Sequence, residues 1–176
     1  MELRTPRTLL REFTREDLAG FSHYRLDPRF GVYAEGIDAM PSSVELLEMF
    51  LQWAVEEPRR AWQFAITLPT RASISGPLIG TAGLRQRAAG DGVAEFGIEL
   101  DRRHWRQGLA TEVSRGLLDF DFGTLGLREI QARSVSANLA VTRLLETLRF
   151  EPDGEADGPE WMQRRGWKER LWRLPA

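Results

Sequence analysis

Apolar and polar positions change their period several times along the chain, and each change marks an element. Leu9 and Leu10 begin a short strand that ends near Phe13. Thr14 with Asp17 three residues on has the form of a capping box, and the helix behind it runs through Leu18, Phe21 and Tyr24 to stop before Pro28. Arg29 to Pro41 has no period and reads as loop. Ser42 and Glu45 repeat the capping signal ahead of SVELLEMFLQWAVEE, where Leu46, Phe50, Trp53 and Ala54 share one side and Pro58 follows the end. WQFAITL (Trp62 to Leu68) and LIGTAGL (Leu78 to Leu84) read as strands joined by a polar connection, Pro69 to Gly76. Arg87 to Gly92 is a hairpin-type turn into the next strand.

That next strand opens the stretch around which the chain is organised, Val93 to Ala110. Ala94, Phe96, Ile98 and Leu100 alternate with Glu95, Gly97 and Glu99 at period two. An arginine-rich loop, Asp101 to Gln107, follows, and Gly108 and Ala110 open a helix with Leu109, Val113, Leu117 and Phe120 on one face. Strand, arginine loop and small-residue helix start make an anion cradle: free N–H groups and the positive end of the helix dipole face a guest that Gly108 lets approach. A phosphate-bearing cofactor suits it, although an ordinary strand–turn–helix has the same outline. Beyond it come a strand, Arg128 to Ser134, and a helix from Asn138 with Val141, Leu144, Leu145 and Leu148 as its buried stripe. Phe150 starts a further strand, the polar stretch EPDGEADGPE precedes Trp161, and Lys168 to Leu174 is the last strand. With no repeat and no linker, the order predicts one domain over residues 1–176, of α/β class, a mixed sheet flanked by helices.

Composition narrows the chemistry. The chain of 176 residues has no run apolar enough to span a membrane and no secretory leader pattern, which with the absence of cysteine fits a cytoplasmic protein. Without cysteine there are no disulfides and no thiolate nucleophile, and two histidines, His23 and His104, give no basis for a zinc site. A net charge of −2 gives no pull toward nucleic acid or anionic lipid. Lys168 is the only lysine, which reads as compositional bias toward arginine.

Ala94 to Glu112, AEFGIELDRRHWRQGLATE, resembles the strand "AEIGYW" and loop "YWGQGYATEA" of GNAT N-acetyltransferases, in the RimJ/RimL-like branch that acetylates N-terminal amines of ribosomal proteins. Asn138 to Phe150, NLAVTRLLETLRF, is similar to that family's "NPASIRVLEKLGF", and Leu10 to Leu18 and Arg164 to Leu174 fit the branch as well. The departures are informative. Arg106 stands where a glycine often precedes the Gln107 position, and Arg149 where a glycine precedes the phenylalanine. Val141 replaces a common serine, and no tyrosine occurs after Tyr33, so neither hydroxyl acid of the family is present.

The resemblance implies the GNAT acyl-CoA N-acyltransferase fold, with a splayed pair of central strands, and transfer of an acetyl group from acetyl-CoA to an amine without a metal. A base must take the amine's proton, and a backbone N–H must meet the oxygen of the thioester. Gly97 is the expected bulge and Ile98, or the residue after it, the donor. Glu95, Glu99 and Glu160 compete as base, with Glu95 first because histone-acetylating members carry their glutamate there; a water wire is the alternative. For the cofactor the resemblance points to Ile98, Glu99 and Leu100 at the strand end and to Gln107, Gly108, Leu109, Ala110 and Thr111 in the cradle. Arg103 and Arg106 would meet phosphate oxygens, Asn138 the pantetheine arm and Arg143 the adenosine 3′-phosphate. Trp53, Trp62 and Trp172 are assigned to the core, and Trp161 or Trp167 to the acceptor groove or a homodimer contact. The acceptor is expected to be a protein N-terminal amine. A small-molecule acceptor (antibiotic, polyamine or amino acid) and a CoA-binding module without catalysis are the other readings, and acetyl is not distinguished from other acyl groups.

Overall fold

A computed structural model of the chain describes residues 1–35, 40–70, 76–86 and 92–176. Residues 36–39 of the expected loop, 71–75 of the polar connection and 87–91 of the hairpin-type turn lie outside them.

Among the described residues, eight strands form one sheet in the order β1-β2-β3-β4-β5-β6-β8-β7. β1 (Glu2–Arg4), which sequence pattern did not reveal, pairs antiparallel with β2 (Leu9–Glu12). Thr14 and Asp17 close the expected capping box over a single 3-10 turn, and α1 (Leu18–Arg25) continues from it. Ser42 and Glu45 cap α2 (Ser43–Ala54) in the same way, and Leu47 and Phe50 are its buried residues. β3 (Ala61–Thr67), β4 (Leu78–Arg85) and β5 (Val93–Leu100) form an antiparallel meander. α3 (Leu109–Gly123) then crosses to β6 (Glu129–Val135), parallel to β5, and α4 (Leu139–Thr147) leads to β7 (Glu151–Ala156). A short α5 (Glu160–Gln163) precedes β8 (Glu169–Pro175), which lies between β6 and β7.

The sheet has a core on each face. On one side α3 and α4 bring Val113, Leu117, Leu118 and Leu145 onto Phe64, Leu84, Phe96 and Ile130. On the other, α1 and α2 bring Phe21, Tyr24, Leu47 and Phe50 onto Phe13 and Ala65. Trp62 and Trp172 are buried as expected, and Trp53 is half-buried at the edge of the second core. The strand expected from Phe150 is present as β7, but it runs through the polar stretch, exposed at every residue because it is an edge strand held by β8 alone.

The feature that positions the site is where β5 and β6 part. They pair only from Val93↔Glu129 to Glu95↔Gln131; β6 then stays with β8 as far as Val135↔Glu169, while β5 stays with β4 up to Gly80↔Leu100. The second half of β5 therefore has a free edge inside the sheet.

Candidate active site

Alternation along β5 decides which groups face the opening. The Asp101 N–H donates to the Ile79 carbonyl on β4 at 2.8 Å. Successive N–H groups in a strand point to opposite sides, so those of Gly97 and Glu99 face β4, and those of Ile98 and Leu100 face the gap. The Leu100 carbonyl fits this parity, accepting the Trp105 indole N–H at 2.8 Å from outside the ladder. Ile98 thus offers a backbone donor where the resemblance expects one. Gly97 does not bulge: it sits opposite Gly83 in an unbroken β4–β5 register, and the opening comes from the loss of β6 rather than from an extra residue.

The cradle lies at the end of the same strand. Arg106 has a φ of 59° and Gly108, the N-cap of α3, a φ of 74°, so two left-handed residues flank Gln107. Gly108 supplies no side-chain cap, and the Glu112 N–H is the first to find a helix acceptor, the Gly108 carbonyl at 3.0 Å. The N–H groups of Leu109, Ala110 and Thr111 therefore point out of an open helix start. Among the described residues other than its chain neighbours, a Cβ built on Gly108 would meet only Nη2 of Arg7 within 4 Å, at 3.5 Å. An uncapped helix start with open space on its glycine and a guanidinium at its rim fits a pyrophosphate.

The expected side-chain ligands are less uniform. Arg103 is turned back on the buried Asp101, its Nε 2.9 Å from Oδ2. Burial opposes ionisation of Asp101, but its bonds from Arg103 outweigh that and hold it below the ordinary carboxylate value. The Gln107 side chain donates to the Arg103 carbonyl, so this residue offers the cradle its backbone. Arg106 is exposed. Asn138, expected at the pantetheine arm, caps α4, its Oδ1 accepting the Val141 N–H at 3.3 Å. Arg143 lies on the exposed face of α4.

The three carboxylates separate clearly. Glu160 is on α5, exposed and paired with Arg164 at 3.2 Å. Glu95 lies in a chain of charges across the root of the opening, between Arg85 on β4 (3.9 Å) and Arg133 on β6 (3.7 Å), with Arg133 also 3.4 Å from Glu169 on β8. Glu99 hangs from the free half of β5 on the α1 side. It accepts from the Tyr24 hydroxyl at 3.2 Å and from Nη1 of Arg25 at 3.0 and 3.2 Å. Burial raises the Glu99 carboxyl above its ordinary value, with Arg25 and Tyr24 opposing but not cancelling the effect. Arg25 is 6% exposed, lies 5.2 Å from both the Phe21 and Phe30 rings, and also donates to the Pro41 carbonyl. Tyr24 and Arg25 were not identified as site residues from sequence, because their bonds to Glu99 span 75 and 74 positions.

Across the gap, the segment following α1 meets the one preceding β8. Tyr33 packs on Trp167, ring centres 5.8 Å apart, and Arg165 lies over both Trp161 and Trp167 and donates to the Ala34 carbonyl. The two tryptophans assigned to the acceptor side thus join the α1 and β8 sides of the molecule. Among the described residues no helix is long and apolar enough to cross a membrane, and no group of histidine and acidic side chains is placed to hold a metal ion.

Comparison with known proteins matches residues 7–151 to the acetyltransferase (GNAT) domain family. The chain is 30% identical over 156 residues to YoaA, an uncharacterised N-acetyltransferase of Bacillus subtilis (strain 168), covering 86% of this chain and 84% of that protein. It is 29% identical over 154 residues to p20, another uncharacterised N-acetyltransferase, from Bacillus licheniformis, covering 86% and 83%. Among solved structures, Mycobacterium smegmatis RimJ in complex with CoA-disulfide superposes with a TM-score of 0.77 at 19% identity, over 100% of this chain and 86% of that one. Vibrio cholerae spermidine N-acetyltransferase in complex with CoA and spermine gives 0.76 at 19% identity, over 96% and 95%. At these identities the structural likeness speaks for the fold.

Proposed function

Because this chain belongs to the GNAT acetyltransferase family, an acyltransferase class drawing on acetyl-CoA, we propose that its acceptor is a protein N-terminal amine and that Glu99 is the base that readies it. The observation that carries this reading is the free half of β5, which puts a backbone donor at Ile98 and a carboxylate at Glu99 on adjacent residues beside the opening. Acyl transfer needs both: the amine gives up a proton as it attacks the thioester carbon, and the carbonyl oxygen gains charge that an N–H can stabilise. A half-buried carboxyl held above its ordinary value is a better proton acceptor than an ordinary one, and Arg25 and Tyr24 fix its direction. In this reading Glu95, between its two arginines, orders the root of the opening, and the exposed Glu160 takes no part. Leu109, Ala110, Thr111 and Arg106 hold the donor's phosphates.

The charge balance favours an acceptor with a single cationic amine. Among the described residues, Glu95, Glu99 and Glu169 are each matched by an arginine, which leaves these carboxylates less able to concentrate a polycation. Coenzyme A release measured against N-terminal peptides, polyamines and aminoglycosides tests the reading. Peptides should be turned over with the highest kcat/KM. A polyamine or aminoglycoside ahead of every peptide would overturn the acceptor assignment, and acetyl-CoA binding without turnover of any amine would replace the enzyme with a binding module.

A further inference from the structure

We propose that Arg7 positions the cofactor: it holds the Gln107 carbonyl out of the cradle and directs its remaining nitrogen at the pyrophosphate. The inference rests on the assignment of the cradle to the acetyl donor.

Arg7 lies in the turn between β1 and β2, about a hundred residues from the cradle in sequence, yet it is fixed at three points, two on its guanidinium and one on its backbone. Nε donates to Glu112 Oε2 at 2.6 Å, Nη1 donates to the Gln107 carbonyl at 2.9 Å, and its own backbone N–H donates to Glu112 Oε1 at 2.8 Å. Thr5 adds a hydroxyl bond to the same Oε1 at 2.6 Å, and the turn closes on itself through the Thr5 N–H to the Thr8 carbonyl at 3.0 Å. Burial opposes the charge on Glu112, but the bonds from Thr5 and Arg7 prevail and keep it ionised below the ordinary range. The N-terminal turn is thus bolted to the first turn of α3 through one carboxylate.

With Nε and Nη1 engaged, the planar guanidinium leaves Nη2 in a fixed direction. That atom is the one found on the open side of Gly108, 3.5 Å from where a Cβ would stand. The bond from Nη1 acts on the loop as well. A cradle for an anion must present N–H groups and turn its carbonyls away, and Arg7 draws the Gln107 carbonyl outward between the two left-handed residues. Because Glu112 balances its charge, Arg7 contributes a directed donor and a loop geometry more than net charge. Arg106, exposed on the same loop, contributes the opposite.

The test is binding of CoA, 3′-dephospho-CoA and pantetheine to the wild type and to Arg7→Gln, Arg7→Lys and Arg106→Ala, with KM and kcat for acetyl-CoA. Arg7→Gln should weaken CoA and dephospho-CoA alike by about tenfold, raise KM more than it lowers kcat, and leave pantetheine, which has no phosphate, unchanged. The loss should persist as salt is raised, whereas the loss in Arg106→Ala should shrink. Arg7→Lys keeps the charge beside Glu112 and the fold, yet should show the same loss because one ammonium cannot serve three acceptors at fixed angles. Wild-type affinity in Arg7→Lys, or an equal loss for pantetheine in Arg7→Gln, would reduce Arg7 to a tie between the N-terminus and α3. Failure of the wild type itself to bind CoA would overturn the donor assignment instead.

Discussion

Arg106 and Arg149 adopt φ values of 59° and 67°, and both stand where the family often has glycine. An L side chain in that region costs about 1 to 2 kcal/mol, part of which glycine returns through its freer unfolded chain. Arg149 ends α4 in a helix-closing turn, with its N–H on the Glu146 carbonyl and that of Phe150 on Leu145, and nothing in that turn needs its side chain. Arg149→Gly should raise unfolding stability by about 1 kcal/mol in urea, and Arg149→Ala should not; equal effects would mean the angle is not the cause. Glu99 supports a sharper test. Glu99→Gln should cut turnover roughly 10²- to 10⁴-fold with CoA affinity nearly intact, and the loss should narrow as pH rises and the amine deprotonates unaided. Glu95→Gln should cost under about tenfold, and the reverse order would return the base to Glu95. The departures at Arg106 and Arg149 were visible in the sequence, but the Glu99–Arg25–Tyr24 cluster was not, since it exists only once α1 is laid on the sheet.

Elements were legible where a local rule forms them. The two capping boxes sit at Thr14 and Ser42 because a hydroxyl and a carboxylate three residues apart satisfy each other's backbone before any tertiary contact forms. The cradle was legible for the same reason: glycine and the free N–H groups after it are neighbours in sequence. β7 was legible as a strand from Phe150 but not in its extent, since an exposed edge strand has no buried face to impose alternation. α3 hides a further feature. Asp121 is fully buried, neither carboxylate oxygen has a hydrogen-bond partner among the described residues, and burial lifts the group to about 8. A folded-state value above the unfolded one means the native chain holds the proton more tightly, so the stability this group contributes is complete below about pH 4 and drains away as pH rises toward 8. Asp121→Asn keeps the shape and cannot ionise. It should match the wild type near pH 4 and exceed it at pH 9 by several kcal/mol, up to roughly 6 at about 1.4 kcal/mol for each unit of displacement. A constant difference across that range would show that Asp121 is not the titrating group.

At the scale of the whole molecule, the order of elements was legible and the division of the sheet came only through the family resemblance. Pattern predicts that Val93 to Leu100 and Arg128 to Ser134 are strands; it cannot show that they part after Glu95, because the decision belongs to β8, which occupies β6 along its whole length. That division leaves the second half of β5 without a strand partner on one side, and the start of α3 near its end is uncapped, so two sets of backbone groups face outward there. A ligand that meets both sets should stabilise the native chain without binding the unfolded one. At about a hundred times its dissociation constant, CoA should contribute about 2.7 kcal/mol, a rise in Tm of roughly 5 to 10 °C for a chain of this size. Desulfo-CoA should do nearly as well, because the cradle holds phosphates rather than sulfur, and pantetheine should do far less. Raising salt should shrink the CoA shift only in so far as Arg106 and its neighbours act as charges, since N–H groups at a helix start are screened little once the anion is seated. Differential scanning fluorimetry over these three ligands at two ionic strengths decides the point. An unchanged Tm with both CoA and desulfo-CoA at millimolar concentration would mean that the open edge and the cradle are not a donor site.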